Sequence, residues 1–174
     1  MEYTFTLKYQ LADDDCDPDV LVERLGEAGC DDALVGLGQP GRLALEFTRE
    51  AADADEAVRS ALADVNRATP SAKLIEVAPD LVGLTDVADI VGVSRQNMRK
   101  LMLAHPGSFP APVHEGSASI WHLADVLTWL QAKGSYSLAM EVLEVACVAL
   151  QVNVLKEGRR LSRPASEELE ALVG

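Results

Sequence analysis

The chain is short of several things that would declare a function outright. Among 174 residues there are three cysteines, Cys16, Cys30 and Cys147. They are isolated and odd in number, with neither the pairing of a secreted disulfide scaffold nor the close spacing of a zinc site, so buried reduced thiols are expected. Aromatic residues make up 5% of the chain. No run approaches the roughly 18 uninterrupted apolar residues of a membrane span. The N-terminus MEYTFTLKYQ has no basic stretch leading into an apolar core, which points to a cytoplasmic protein with no membrane partner. There is no glycine-rich phosphate loop, nucleophile elbow or Cys/His arrangement, so an enzyme ranks third among the functional classes and no cofactor is expected. His105, His114 and His122 lack the short helical spacing of a metal pair, and they are read as surface or hairpin residues.

Cationic charge is the other shortage. Lys and Arg number 15 against 28 Asp and Glu, a formal charge of -13. That balance excludes a generally adhesive nucleic-acid coat, and any polyanion must be held locally. The acidity is unevenly placed. Residues 1–80 hold 18 acids against 7 bases, residues 81–133 hold 4 against 4, and the remainder holds 6 against 4. Arg95, Arg99 and Lys100 fall within six residues of the neutral middle segment, so its surface can be locally positive.

With 48% hydrophobic residues the chain can build a core for one medium or two small domains. Tyr3, Phe5, Leu7, Tyr9 and Leu11 alternate with polar residues, the period of a half-buried strand. Asp17 and Pro18 then open a helix with a Val20, Leu21, Leu25, Ala28 stripe. Residues 33–37 and 42–48 flank the turn Gly38-Gln39-Pro40-Gly41. Asp53 and Glu56 make the start of a second helix, with Ala57, Val58, Ala61, Leu62 and Val65 inward. Residues 74–78 form a last strand. The order β-α-β-β-α-β predicts a ferredoxin-like domain over 1–80, suited to assembly, a protein partner or a small ligand. The run Asp13-Asp14-Asp15-Cys16-Asp17 lacks the ligand spacing of a calcium loop and reads as a solvated acidic loop.

The segment LTDVADIVGVSRQNMRKLM, residues 84–102, reads as two short helices. Thr85 suits the first cap, Val87, Ala88 and Val91 the inner face, and Gly92-Val93-Ser94 the turn. Ser94 caps the second helix, Met98 and Leu101 pack it, and Arg95, Gln96, Asn97, Arg99 and Lys100 occupy the remaining arc. A helix fits the major groove, where Asn and Gln pair with adenine and Arg with guanine. The bland alternative is a helical hairpin with a solvated face. There follow Phe109-Pro110-Ala111-Pro112, a Gly-Ser tip over 115–119, Trp121, and a helix over 123–132 with Val126, Leu127, Trp129 and Leu130 inward. Trp121 and Trp129 sit where core packing outweighs base stacking.

Residues 82–133 resemble the excisionase-like, MerR-type winged helix-turn-helix of AlpA-type regulators, whose members run L-T-x-x-V-A-x-x-x-G-V-S, a basic helix, F-P-x-P, a short wing, a Trp and a helix ending in W-L. The resemblance implies DNA contact by Thr85, by Ser94, Arg95, Gln96, Asn97, Arg99 and Lys100 of the recognition helix, and by His114, Ser117 and Ser119 of the wing. This wing departs from the pattern in having no Arg or Lys at its tip.

From Ser137 to Leu155 apolar residues surround most of a helix, interrupted by Glu141 and Glu144. Such a helix needs cover nearly all round, either from the N-terminal sheet or from a second copy. A homodimer through residues 137–155 is the favoured expectation, with an inverted-repeat DNA site to match. The tail beyond it, from Lys156 to Pro164, is basic and reads either as a phosphate-contacting arm or as a disordered terminus.

The expected fold is therefore α+β: an acidic ferredoxin-like domain over 1–80, a winged helix-turn-helix over 81–133, and a dimerisation helix with polar tail over 134–174. The expected function is sequence-specific binding of double-stranded DNA in transcriptional regulation. The alternative is a protein-interaction module, a DNA mimic or antitoxin-like inhibitor, whose acidic domain binds a basic partner.

Overall fold

The computed structural model describes residues 1–15 and 17–174. Cys16 lies outside the described residues, so the thiol expectation is met only at Cys30, which is buried, and Cys147, which is half-buried. Burial pushes the Cys30 thiol up to about 11, so it is uncharged and weakly nucleophilic at neutral pH.

The chain is α+β. Its elements are β1 (Glu2–Gln10), α1 (Pro18–Glu27), β2 (Ala33–Gly36), β3 (Arg42–Glu50), α2 (Ala54–Ala68), β4 (Lys73–Ala78), β5 (Leu81–Val82), α3 (Leu84–Val91), α4 (Arg95–Ala104), β6 (His114–Glu115), β7 (Ser119–His122), α5 (Leu123–Lys133), α6 (Met140–Gly158) and α7 (Glu167–Val173). Seven helices and two antiparallel sheets are thus present among the described residues, the sheets ordered β2-β3-β1-β4 and β5-β7-β6.

The alternation read from the sequence sets the first sheet. Tyr3, Phe5, Leu7 and Tyr9 of β1 lie beside Leu43, Leu45 and Phe47 of β3 on one buried face, and Phe5 and Phe47 stack at 5.3 Å. Leu21 and Leu25 of α1 and Ala57, Val58, Ala61 and Val65 of α2 cover that face. Val20 does not join them; it is half-exposed at 50%, because the short α1 lays only a narrow stripe on the sheet. Local caps do the rest. The Asp17 carboxylate accepts the Asp19 N–H, and that of Asp53 accepts the Glu56 N–H at 2.8 Å.

Two polar clusters tie this half together. Arg49 continues the inward parity of β3 and spends all five of its N–H groups. It binds Asp32 through two bonds of 2.7 and 2.9 Å, and Asp64, Ser60 and the Gly29 carbonyl at 2.8 to 3.0 Å. The acidic run before α1 is not simply solvated. Asp13–Asp15 form a 3-10 turn, and the Asp15 carboxylate meets Arg24 at 2.5 Å and accepts the hydroxyls of Thr69 at 2.8 Å and Ser71 at 3.0 Å.

The Arg24 guanidinium, followed by the Thr69 and Ser71 hydroxyls, holds the Asp15 carboxyl below the usual carboxylate range. A depressed folded-state value means the stabilisation is complete above the unfolded value, about pH 4, and is lost as pH falls through the folded one. Asp15→Asn is therefore expected to be the less stable protein at pH 6 and to show a flatter acid limb. Urea midpoints taken from pH 6 down to pH 2 check this, and parallel limbs would refute it.

A second core gathers Val82, Leu84, Val87, Ala88, Met98, Trp121, Leu123, Ala124, Val126, Leu127 and Leu130. The long helix α6 belongs to both. Val145 and Ala149 enter the first core, and Leu143 and Ala146 enter the second. The cover that its apolar circumference requires is thus supplied largely within one chain. It begins at Met140, three residues later than the sequence suggested, and Val154 and Leu155 remain exposed on it. The tail beyond it is ordered into the short helix α7, capped by Ser166. No helix among the described residues is long and apolar enough to cross a membrane.

Where the halves meet, a buried polar joint forms. The Asn153 amide of α6 accepts the Val77 N–H at 2.9 Å, and donates to the Val77 carbonyl and the Asp80 carboxylate, each at 2.8 Å. The other Asp80 oxygen lies 2.6 Å from His122 Nδ1, and the Asp80 carbonyl accepts the Leu123 N–H at 2.7 Å. His122 is accordingly a joint residue, not the surface residue its sequence position suggested, because β5 pairs Leu81 with it and brings Asp80 alongside.

Candidate nucleic-acid interface

Helix α4 is mounted by short-range chemistry. Gly92 closes α3 in the left-handed region at φ 79°, which glycine adopts without strain. Ser94 then caps α4, its hydroxyl accepting the Asn97 N–H at 3.1 Å. Met98 is buried beneath the helix, with Val93 and Leu101 packed beside it. That pinning leaves Arg95, Gln96, Asn97, Arg99 and Lys100 exposed, as the apolar spacing implied. The end of α4 is fixed by His105, whose Nδ1 donates to the Leu101 carbonyl at 3.0 Å and whose ring meets Trp129 edge-on at 5.3 Å.

Thr85 is not the cap of α3. The chain leaves β5 at Gly83, which takes the capping position, and the Asp86 carboxylate reaches back to accept the Gly83 N–H at 2.9 Å. Thr85 therefore sits inside the first turn with its hydroxyl exposed.

The hairpin β6-β7 rises beside these helices. Phe109 packs edge-on against Trp121 at 6.1 Å and Trp129 at 5.1 Å. Trp121 Nε1 donates to the Pro110 carbonyl at 3.0 Å, and Trp129 Nε1 to the Ser108 hydroxyl at 3.3 Å. Both tryptophans thus serve packing, and the Phe-Pro-x-Pro segment is the strap that holds the hairpin down. At the tip the His114 ring lies over Gly116, where an added Cβ would come within 2.6 Å of Nε2.

Together these elements enclose a cleft of about 530 Å³. Thr85 and Asp86 line it from α3, Arg95 and Arg99 from α4, and Ser117 and Ser119 from the hairpin. Five of the ten residues singled out in the sequence are thereby brought together: Thr85, Arg95, Arg99, Ser117 and Ser119. Gln96, Asn97 and Lys100 lie exposed on α4 without lining the cleft, Ser94 is engaged as the cap, and His114 sits exposed on β6.

The electrostatics are local. Arg95, Arg99 and Lys100 form no ion pair among the described residues, whereas Arg24, Arg49, Arg59 and Arg67 of the acidic half are each paired with aspartate. The cleft's own carboxylate, Asp86, is occupied by the Gly83 N–H. The hairpin adds hydroxyls and Glu115 but no cation, so the positive charge of this face comes from α4. No group of three or more His, Cys, Asp or Glu placed to hold a metal occurs among the described residues.

Sequence reasoning passed over Asp86, Asp80 and Asn153, which set the placement of these elements. The signal for Asp86 was its position three residues after Gly83, and that for Asn153 was an amide flanked by Val152 and Val154 in a largely apolar stretch of α6. No family model, curated protein or solved structure matches this chain.

Proposed function

We propose that the chain is a sequence-specific double-stranded DNA-binding protein that regulates transcription, reading the major groove with α4. The observation carrying this reading is the exposed arc of α4: three cations without ion-pair partners and two amides, beside a cleft walled by hydroxyls. Gln96 and Asn97 suit adenine edges, and Arg95 and Arg99 suit guanine or phosphate. Thr85, Ser117, Ser119 and His114 would hold the flanking backbone through hydroxyl and ring N–H donors. Two features support a winged helix-turn-helix here, namely the α3-turn-α4 pair and the sheet order β5-β7-β6. In the acidic half the element order and the sheet order β2-β3-β1-β4 support the ferredoxin-like reading.

The acidic remainder limits residence on unrelated DNA, since at physiological salt charges are screened beyond about 8 Å and only the local face attracts phosphate strongly. A homodimer on an inverted repeat belongs to the same proposal, because two linked heads multiply weak half-site affinities. Its contact would use the exposed Val154 and Leu155 of α6, not the buried stripe.

Selection of bound fragments from a random duplex pool is expected to enrich one motif. Arg95→Ala and Arg99→Ala are each expected to cost about 1–3 kcal/mol of specific affinity and to relax the preference at one position. Sedimentation of the complex gives its stoichiometry. A pool that yields no enriched sequence, with binding only to a basic protein, would transfer the function to the acidic half.

A further inference from the structure

We infer that the chain carries a second phosphate-contacting surface, distinct from α4, where the cationic end of the first sheet meets the C-terminal end of α6. It rests on the DNA-binding reading for the identity of its polyanion, though not for the surface itself.

The register builds it. Gln10 of β1 is paired with Arg42 of β3 on one side and Lys73 of β4 on the other, so the three side chains form one row across three strands. Their neighbours Tyr9, Leu43 and Leu74 point into the core, which places the row on the face that the helices leave open. Helix α6 then extends the row. Lys156 and Arg160 share with Gln10 and Lys73 a hollow of about 300 Å³, and Lys156 is anchored there by donating to the Ile75 carbonyl at 2.6 Å. Arg159 and Arg163 follow, both exposed.

The charge balance is the reverse of the chain's. Lys73, Lys156 and Arg160 line the hollow with one acid, Glu157, which pairs with Lys156 at 2.7 Å and Arg160 at 3.1 Å. Arg42 lies along the row beside Gln10, and Arg159 and Arg163 flank Arg160 in the chain. Arg42, Lys73, Arg159 and Arg163 form no ion pair among the described residues, and Glu167, Glu168 and Glu170 of α7 make none with them. In a chain of charge -13, these four cations and the Gln10 amide are left free to meet an anion from outside.

The kind of anion follows from what the surface omits. Protein interfaces concentrate aromatic anchors in a desolvated centre, and the residues forming this one include none. A row of Arg, Gln and Lys donors with an arginine-bearing extension suits a phosphate backbone, which is held without sequence information. The location fits a separate contact. The half of α6 that carries Leu143 and Ala146 packs into the core that Met98 of α4 also joins, and its 19 residues span roughly 28 Å to the opposite end.

The test is the salt dependence of binding to a selected duplex and to an unrelated duplex, each of about 40 base pairs. The variants are Arg42→Gln, Lys73→Gln, Arg159→Gln and Arg163→Gln combined, and Arg95→Ala with Arg99→Ala. All four positions of the first set are exposed, and an unchanged urea midpoint verifies folding. With about 0.9 units of slope per phosphate contact, the quadruple variant is expected to lower the slope of log Kobs against log salt by about 2–4. It should weaken both duplexes alike while keeping the ratio between them. An unchanged slope overturns the inference, as does a loss confined to the selected duplex. The α4 variant reads the other proposal: if the duplex ratio survives it while the quadruple variant flattens the slope, α4 is not the reader and the second surface stands.

Discussion

Replacing Asn153 by leucine is expected to lower the unfolding free energy by about 3–5 kcal/mol, although the two side chains are similar in size. Asn153 is 6% exposed and makes three bonds, two to Val77 and one to Asp80. Leucine would leave a buried N–H, a buried carbonyl and one oxygen of a buried carboxylate without partners. Each such orphan costs about 1–3 kcal/mol, because it has been stripped of water and given nothing in exchange. Burial of the added methyl groups offsets only part of that. Denaturant unfolding measures the difference, with Gln151→Ala on the exposed side of the same helix as the control, expected to fall within about 0.5 kcal/mol of wild type. A loss for Asn153→Leu below 1 kcal/mol would mean that water or a local shift satisfies the joint. The joint unites β4, the Asp80 connection, His122 and α6, so its loss is also expected to loosen the placement of α4 on the body. Weaker duplex binding by Asn153→Leu at temperatures where it remains folded would report that directly.

The second large effect belongs to Arg49. Its guanidinium is 10% exposed and lies between Asp32 and Asp64, and it also sits 4.9 Å over the Phe47 ring. Arg49→Met keeps much of the apolar stem but leaves two carboxylates close together with only Arg67, paired to Asp64, to answer them. Breaking a buried pair from one side costs about 3–5 kcal/mol. Asp32 retains 29% of its exposure, which places the expected loss near the lower end, about 3 kcal/mol. Arg49→Lys is expected to recover little of it, since a single ammonium cannot reproduce a planar fork that uses five donors. Chemical denaturation of the three proteins at pH 7 decides the matter, and full rescue by lysine would reduce the cluster to simple charge balance. The neighbouring Gly29 carbonyl, which the same guanidinium holds at 2.9 Å, ties α1 to the network.

What could be read in advance divides along a physical line. Strand parity from Tyr3 to Tyr9, the caps Asp17, Asp53 and Ser94, and the turn at Gly92 depend on neighbours within four residues, and each lies where the sequence placed it. The exposed arc of α4 was legible for the same reason: Met98 and Leu101 fix which way the helix faces. Thr85 was misplaced as a cap because Ser, Thr, Asp and Asn lead the preference for that position, whereas here glycine holds it and an aspartate three residues on supplies the bond.

The misreadings elsewhere arise at long range. His122 looked like a hairpin residue until Asp80, 42 positions away, was seen beside it. Arg49 lies one position past the strand read over 42–48, and nothing local says that Asp32 and Asp64 converge on it. In α6 the apolar residues run all round the helix, so no stripe indicates a direction. The pattern said that cover was needed without saying whose, and Val145 and Leu143 find it in different cores of the same chain.

That sharing has a consequence for the order of events during synthesis. Chains emerge N-terminus first and usually fold unit by unit as they do so. Here neither half can be sealed on schedule: the sheet waits for Val145 and Ala149, and the segment bearing α4 waits for Leu143 and Ala146. Until the segment bearing α6 clears the ribosome, both halves hold greasy openings toward solvent. The nascent protein is therefore a natural client for chaperones, and its maturation ends in one concerted closing step.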